Sequence, residues 1–200
     1  MSSNDVTIQS YELGVKEYIA GTAHEVHEVG GNFQAWIHAI LGLLSSNARI
    51  IEIGSAFGRD ARYLESFGRT VERTDATKGF VALLQQMGYT ARRFNVLIDD
   101  FTATYDLVFA NAVFLHFTPQ ELQKTLDKIR VSLNDQGILA FSVKKGEGEQ
   151  WTTAKLGQPR YFCFWTSDKI QSLLKLTGFE LVSISEDEKF MQIVAKKWID

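Results

Sequence analysis

The chain has 200 residues, 45% of them hydrophobic and 22% charged, which is enough to bury the core of one ordinary globular domain spanning 1–200. A net charge of −3 and a pI near 5.8 argue against a broad electrostatic grip on nucleic acid, which needs a basic patch to neutralise phosphates. No apolar run is long enough to span a membrane, the start Met1-Ser-Ser-Asn-Asp5 lacks the pattern of a signal peptide, and the lone Cys163 sits between two phenylalanines, so a cytoplasmic protein with a buried thiol is expected.

In chain order, the first ten residues read as frayed, and Tyr11 to Ala20 as a short helix with Tyr11 and Tyr18 on one face. His24-Glu-Val-His27-Glu28 offers two histidines three apart. It lacks the His-Glu-x-x-His order and further ligands, so a solvated face and no metal site are expected. Gly30-Gly31 break the chain. Phe33, Trp36, Ile37, Ile40, Leu41 and Leu44 then recur at helical spacing. Ile50, Ile51 and Ile53 form a buried strand that stops at Gly54, with Gly58 four residues on and a helix from Asp60 to Ser66. Strand, glycine turn and helix leave free backbone N–H groups at the mouth of a sheet, where a nucleotide-like ligand belongs.

Strands and helices alternate from there, the pattern of a parallel sheet covered on both faces. Arg69 to Thr74 is the second strand, ending at Asp75, followed by a helix from Lys78 to Met87. Tyr89 to Phe94 and Asp106 to Ala110 are the third and fourth strands. Thr118-Pro-Gln-Glu121 is a capping box opening a helix to Leu133, and Gly137 to Val143 is the fifth strand. Lys144 to Pro159 reads as a polar loop. Ser167 to Thr177 is a helix, and Phe179 to Ser185 and Phe190 to Lys196 are two terminal strands around an acidic turn.

The glycine spacing separates two cofactor classes. The dinucleotide pattern G-x-G-x-x-G fails, because Ala56 stands at the second glycine and Arg59 at the third. The stretch Glu52-Ile-Gly54-Ser55-Ala56-Phe57-Gly58 instead resembles the first motif of the class I S-adenosylmethionine-dependent methyltransferases, with alanine replacing the middle glycine. The resemblance extends over roughly Phe33 to Lys197 and, through the stretches around Arg59-Asp60, Leu115-His116, Lys144 to Glu149 and Arg160 to Phe162, looks like compact bacterial small-molecule members.

The resemblance implies a Rossmann-like, doubly wound α/β sheet of seven strands in the order 3-2-1-4-5-7-6, the last antiparallel, with helices on both faces. It implies S-adenosylmethionine as methyl donor and S-adenosylhomocysteine as product. Contact with that ligand is expected from Glu52, Gly54, Ser55, Ala56, Phe57, Gly58, Arg59 and Asp60, Asp60 serving equally well as a helix cap. Asp75 with Ala76 would take the ribose hydroxyls, Asn95 with Val96 the adenine, and Asn111 with Ala112 the methionine end. Asn111-Ala-Val-Phe114 keeps the amide and aromatic of an Asn-Pro-Pro-Tyr type motif without its prolines, so that rigid geometry is not expected.

Methyl transfer from a sulfonium needs positioning, and a base only if the acceptor must lose a proton. His116 is the candidate base or orienting donor, with a hydrogen-bonded core histidine as its alternative. Tyr18, with Tyr11, would come from an N-terminal helical lid over 1–31, ahead of a core over 32–200. Lys144, Lys145 and Arg160 favour an anionic small molecule as acceptor, while Glu147 and Glu149 leave a solvated charged loop as the other reading. A protein or nucleic-acid methyltransferase subunit and a non-catalytic S-adenosylmethionine-binding module stand as alternatives. No nucleic-acid or membrane partner is signalled, and the sequence is silent on oligomeric state.

Overall fold

The structure, a computed structural model, describes residues 1–198. Its centre is a sheet in which β1 (Arg49–Ile53), β2 (Thr70–Asp75), β3 (Ala91–Arg93), β4 (Tyr105–Ala110) and β5 (Leu133–Lys145) run parallel. β9 (Phe190–Lys197) pairs antiparallel with β5, and β8 (Phe179–Glu186) antiparallel with β9. The order 3-2-1-4-5-9-8 is the expected one with two more strands in the chain. Those two are β6 (Glu149–Thr152) and β7 (Arg160–Trp165), an antiparallel ribbon joined to the end of β5 through Lys144 and Lys145. The stretch expected as a polar loop therefore holds a strand, because Tyr161, Phe162, Cys163 and Trp165 are all buried and pull the hairpin onto the sheet's end.

Helices cover both faces. α3 (Phe33–Gly42) and α4 (Arg59–Glu65) lay Phe33, Trp36, Ile37, Ile40, Ala61 and Leu64 against Ile50, Leu107 and Phe109. On the opposite face α6 (Pro119–Ser132) and α7 (Ser167–Leu176) bury Leu122, Leu126, Ile129, Ile170 and Leu174 against Ile51, Val108 and Phe141. Successive residues of β1 and β4 thus feed two cores, which is why both strands read as largely apolar runs, broken in β1 only by Glu52. α6 opens as its sequence dictates: Thr118 and Glu121 exchange hydrogen bonds at 2.8 and 3.2 Å around Pro119. α5 (Lys78–Gln86) covers the β2 and β3 end with Val81 and Leu84.

The N-terminus corrects the sequence reading. Residues expected to fray form α1 (Ser3–Leu13), capped by a reciprocal Ser2 and Asp5 pair at 2.9 and 3.1 Å, and the chain restarts after Gly14 as α2 (Val15–Ala20). The face of α1 turned inward is polar: Asn4, Thr7 and Ser10 are buried, and each bonds to a distant partner. A search for apolar periodicity passes over such a helix. No helix among the described residues is long and apolar enough to cross a membrane.

Candidate active site

The turn after β1 is built from backbone geometry. Gly54 has φ +75°, and a Cβ there would lie 2.5 Å from Val113 Cγ2; Gly58 has φ +80°, and a Cβ would lie 2.8 Å from Leu84. Ala56 between them holds φ +47° despite its Cβ, at a cost of about 1–2 kcal/mol. What holds it is the next strand: Ala56 N–H donates to Asp75 Oδ2 at 2.9 Å, and Ser55 N–H to Thr74 O at 2.8 Å. Thr77 N–H donates to Asp75 Oδ1 at 2.8 Å. Each carboxylate oxygen of Asp75 thus takes one backbone hydrogen and keeps acceptor capacity toward the cavity. Burial pushes Asp75 up to about 6, against those two hydrogen bonds.

Behind the turn, Glu52 is 3% exposed and its Oε2 has no hydrogen-bond partner. Burial, and then the neighbouring Asp60 carboxylate, push Glu52 up to about 8. Asp60 accepts from Arg59 Nε at 2.6 Å and from Asn111 Nδ2 at 2.9 Å. Asn111 Oδ1 accepts from Ser142 Oγ at 2.7 Å, and Ser142 accepts from Ala112 N–H at 2.8 Å. This chain fixes the segment after β4, including Ala112 at φ +56°, to the first turn of α4 and to β5.

The segment after β4 then makes one turn of 3-10 helix, Phe114–His116, and buries His116 against β7. His116 Nδ1 lies 2.6 Å from Tyr161 O and Nε2 lies 2.8 Å from Tyr11 Oη. A carbonyl can only accept, so Nδ1 carries the hydrogen and Nε2 accepts from the Tyr11 hydroxyl. Arg160 Nη1 donates to the same hydroxyl oxygen at 3.2 Å. Burial drives His116 down to about 3, with Arg160 and Lys144 adding to the effect and the Tyr161 carbonyl opposing it.

Arg160 is 6% exposed, its Nε has no partner, and its guanidinium lies over the rings of Tyr11 and Phe162. Among the described residues no carboxylate forms an ion pair with Arg160, Lys144 or Lys155. Burial and the Arg160 charge lower both lysines. Lys144 packs on Phe162 at 4.2 Å, while Lys155 packs on Tyr18 at 4.2 Å and donates to Thr22 at 2.6 Å. Lys145, grouped with Lys144 and Arg160 in the sequence, is paired with Glu186 at 2.6 Å instead. Lys155 takes its place.

Two cavities meet at the glycine turn. The first, about 670 Å³ including its open mouth, is lined by Gly54, Ala56, Asp75, Ala76, Asn95, Val96, Asn111, Ala112, Tyr18 and His116 among the expected residues. Asn4, Thr7, Ile8 and Tyr11 of α1 roof it. The second lies across the turn and brings in Ser55, Phe57, Arg59 and Asp60, with Lys155, Ser142 and Gln192. Glu52 and Gly58 line neither: Glu52 stands behind the turn and Gly58 caps α4 against Leu84. Sequence reasoning missed α1's polar face, Ser142 and Lys155. Only the Ser2-x-x-Asp5 capping pattern pointed to α1. His24 and His27 stand apart, His24 against Phe57 and its backbone N–H on Glu28.

A sheet of this order with an antiparallel end, a glycine turn after the first strand and an acidic residue closing the second defines a class I S-adenosylmethionine-dependent methyltransferase. Residues 25–184 match the family described as Methyltransferase domain, and the chain belongs to that family of enzymes. The fold is shared with DhpI in complex with SAH (TM-score 0.79, 14% identity, covering 98% of this chain and 97% of that one). It is shared with the CcbJ methyltransferase of Streptomyces caelestis (0.75, 13%, 95% and 98%). It is also shared with the 1,6-didemethyltoxoflavin-N1-methyltransferase of Burkholderia thailandensis, which holds 1,6-didemethyltoxoflavin and S-adenosylhomocysteine (0.66, 20%, 96% and 91%). No curated protein matches the chain in sequence.

Proposed function

We infer that the chain moves a methyl group from S-adenosylmethionine to a small anionic molecule held between α1, the glycine turn and the β5–β7 end of the sheet. The residues fit the donor. Asp75, with backbone hydrogens from Ala56 and Thr77 and the Thr77 side chain upon it, keeps acceptor capacity for the ribose hydroxyls. Glu52 Oε2, buried without a partner, suits the α-ammonium of the methionine moiety. Asn95 accepts from Leu97 N–H at 3.1 Å and donates to Asn4 at 3.2 Å. What remains for adenine is one amide hydrogen and one lone pair on Oδ1, which suits a ring nitrogen beside the exocyclic amine. When bound, the donor supplies an electrophilic methyl on sulfur, so the protein's part is to orient the acceptor and exclude water.

The observation that carries the anionic acceptor is Arg160. Burying a cation without a counter-ion costs several kcal/mol, and here two partly buried lysines add like charge. An acidic group on the acceptor, held in the cavity beside Tyr11 and within reach of Lys155, supplies the missing charge at short range. A roof held by Ser10 on Pro159 O at 2.6 Å and Thr7 on Tyr161 N–H at 3.1 Å favours a small molecule over a macromolecule, and supports reading residues 1–31 as the lid of the site. The test is methyl-label transfer to a panel of small carboxylic and phosphoric acids beside their neutral esters and amides. Acids should be labelled and their neutral counterparts not, with Arg160→Met raising the KM of the acid by roughly ten-fold or more. Equal labelling of acids and neutral analogues would remove the charge argument.

A further inference from the structure

Arg160, Tyr11 and His116 do more than pair charges, because the hydrogen bonds among them have one direction only. His116 Nδ1 gives its hydrogen to Tyr161 O, leaving the Nε2 lone pair on the Tyr11 hydroxyl. Arg160 Nη1 fills one lone pair of the Tyr11 oxygen, and Tyr11 lines the same cavity as Asn111 and Ala112. The phenol oxygen therefore has its hydrogen committed to His116, one lone pair committed to Arg160, and one acceptor position left.

We propose that Tyr11 and His116 form a two-step proton relay for an acceptor atom that carries a hydrogen, a hydroxyl O–H or an amine N–H. This rests on the methyl-transfer reading above. The acceptor's X–H donates to the open position on Tyr11 Oη. As its lone pair bonds the methyl carbon, the carbon–sulfur bond breaks and that pair stays on sulfur. The X–H proton passes to Tyr11 Oη, and the phenol's own proton passes to His116 Nε2. The products are the methylated acceptor, the thioether and an imidazolium whose Nδ1–H still rests on Tyr161 O.

The positive charge on the imidazole appears in the same step in which the sulfonium loses its own, so the buried site carries the same net charge before and after. That balance answers the evident objection, that a histidine held so far toward neutral is a poor base in the empty site. The groups facing the ring are Tyr11 from α1, Tyr161, Phe162 and Arg160 from β7, and Lys144 from β5. None is a carboxylate, so the acceptor's own anion is what offsets the cations during transfer. Arg160 positions Tyr11 and keeps its oxygen from turning away.

The test compares two nucleophiles on wild type, Tyr11→Phe and His116→Asn: iodide, an anion with no proton to lose, and the acids of the label-transfer panel that carry a free O–H or N–H. Both substitutions should lower kcat with the proton-bearing acids by about 10²–10⁴ and leave iodide-dependent formation of iodomethane and S-adenosylhomocysteine within about three-fold. Melting temperature should fall in both variants, since each leaves a buried polar partner unpaired; because that loss is common to both nucleophiles, the ratio of acid to iodide turnover on each protein is the readout. Equal losses with both nucleophiles, or full turnover of the acids by Tyr11→Phe, would overturn the relay. If no acid of the panel is labelled by wild type, the anionic-acceptor reading fails. The relay is then decided by 15N histidine spectra of the S-adenosylhomocysteine complex, where a His116 hydrogen on Nε2 in place of Nδ1 would overturn it.

Discussion

Asn111 Nδ2 donates to Asp60 Oδ2 at 2.9 Å, a bond between residues 51 positions apart that ties the end of β4 to the first turn of α4. It decides how Asp60 is used. The carboxylate at a helix start faces the amide and Arg59 Nε and lines the second cavity beside Asn111. Asn111→Ala leaves Asp60 and Ser142 each short of a partner and should cost about 1–3 kcal/mol by chemical denaturation. Asn111→Asp sets a second carboxylate against Asp60 and should cost more at neutral pH, the difference shrinking as pH falls.

Ala56 stores strain at φ +47°. Ala56→Gly should raise stability by up to about 1 kcal/mol, the relieved left-handed strain outweighing the entropy of the added glycine. Ala56→Val places a branched Cβ in the same conformation and should lower stability and weaken S-adenosylhomocysteine binding. Thermal melts with and without S-adenosylhomocysteine check both. A valine protein as stable as wild type would mean the turn relaxes to negative φ.

Glu52 sits above neutrality because it is buried, so its side chain is mostly uncharged at pH 7 in the empty protein. Glu52→Gln copies that uncharged form and should change the stability of the empty protein by less than about 1 kcal/mol. Binding should suffer, by roughly ten-fold or more, since an amide offers the ligand's ammonium no charge. Calorimetric titration separates the two, and unchanged affinity would take Glu52 out of the site.

Asp75 gives a pH dependence of known sign. Its raised value in the folded protein means that the empty protein holds this proton more tightly than the unfolded chain does. The group therefore costs stability above about pH 6, and the cost is relieved as pH falls toward its unfolded value near 4. A ligand whose hydroxyls donate to the carboxylate favours the ionised form, so binding should weaken as pH drops through about 6. Titrations between about pH 5 and about pH 8 should show proton release on binding near the lower end, and Asp75→Asn should abolish that release along with most of the affinity.

What could be read ahead of the structure was local. The glycine turn, Asp75 and the capping box at Thr118 each depend on residues within a few positions, or on a strand end whose sheet position the alternation of elements fixes. The seven-strand order came with the resemblance and holds, while β6 lies inside the segment read as a polar loop and β7 in the residues just after it, to which no element was assigned. The cluster of Tyr11, His116 and Arg160 was out of reach for another reason. Tyr11 meets His116 across 105 positions and Arg160 across 149, and nothing in the spacing of either reports the contact. Tyr11 and Tyr18 do meet, with ring centres 5.5 Å apart, although Gly14 splits the helix assumed to carry both. It is Tyr11 whose hydroxyl reaches the histidine.

The central claim is that the turn at Gly54 to Gly58, closed by Asp75, holds S-adenosylmethionine. Calorimetric titration of S-adenosylhomocysteine, beside NAD, into wild type and Asp75→Asn tests it most directly. The account predicts one S-adenosylhomocysteine per chain, no heat from NAD, and a loss of affinity of roughly ten-fold or more in the variant. No binding of S-adenosylhomocysteine at about millimolar concentration, or equal affinity in both proteins, would contradict it.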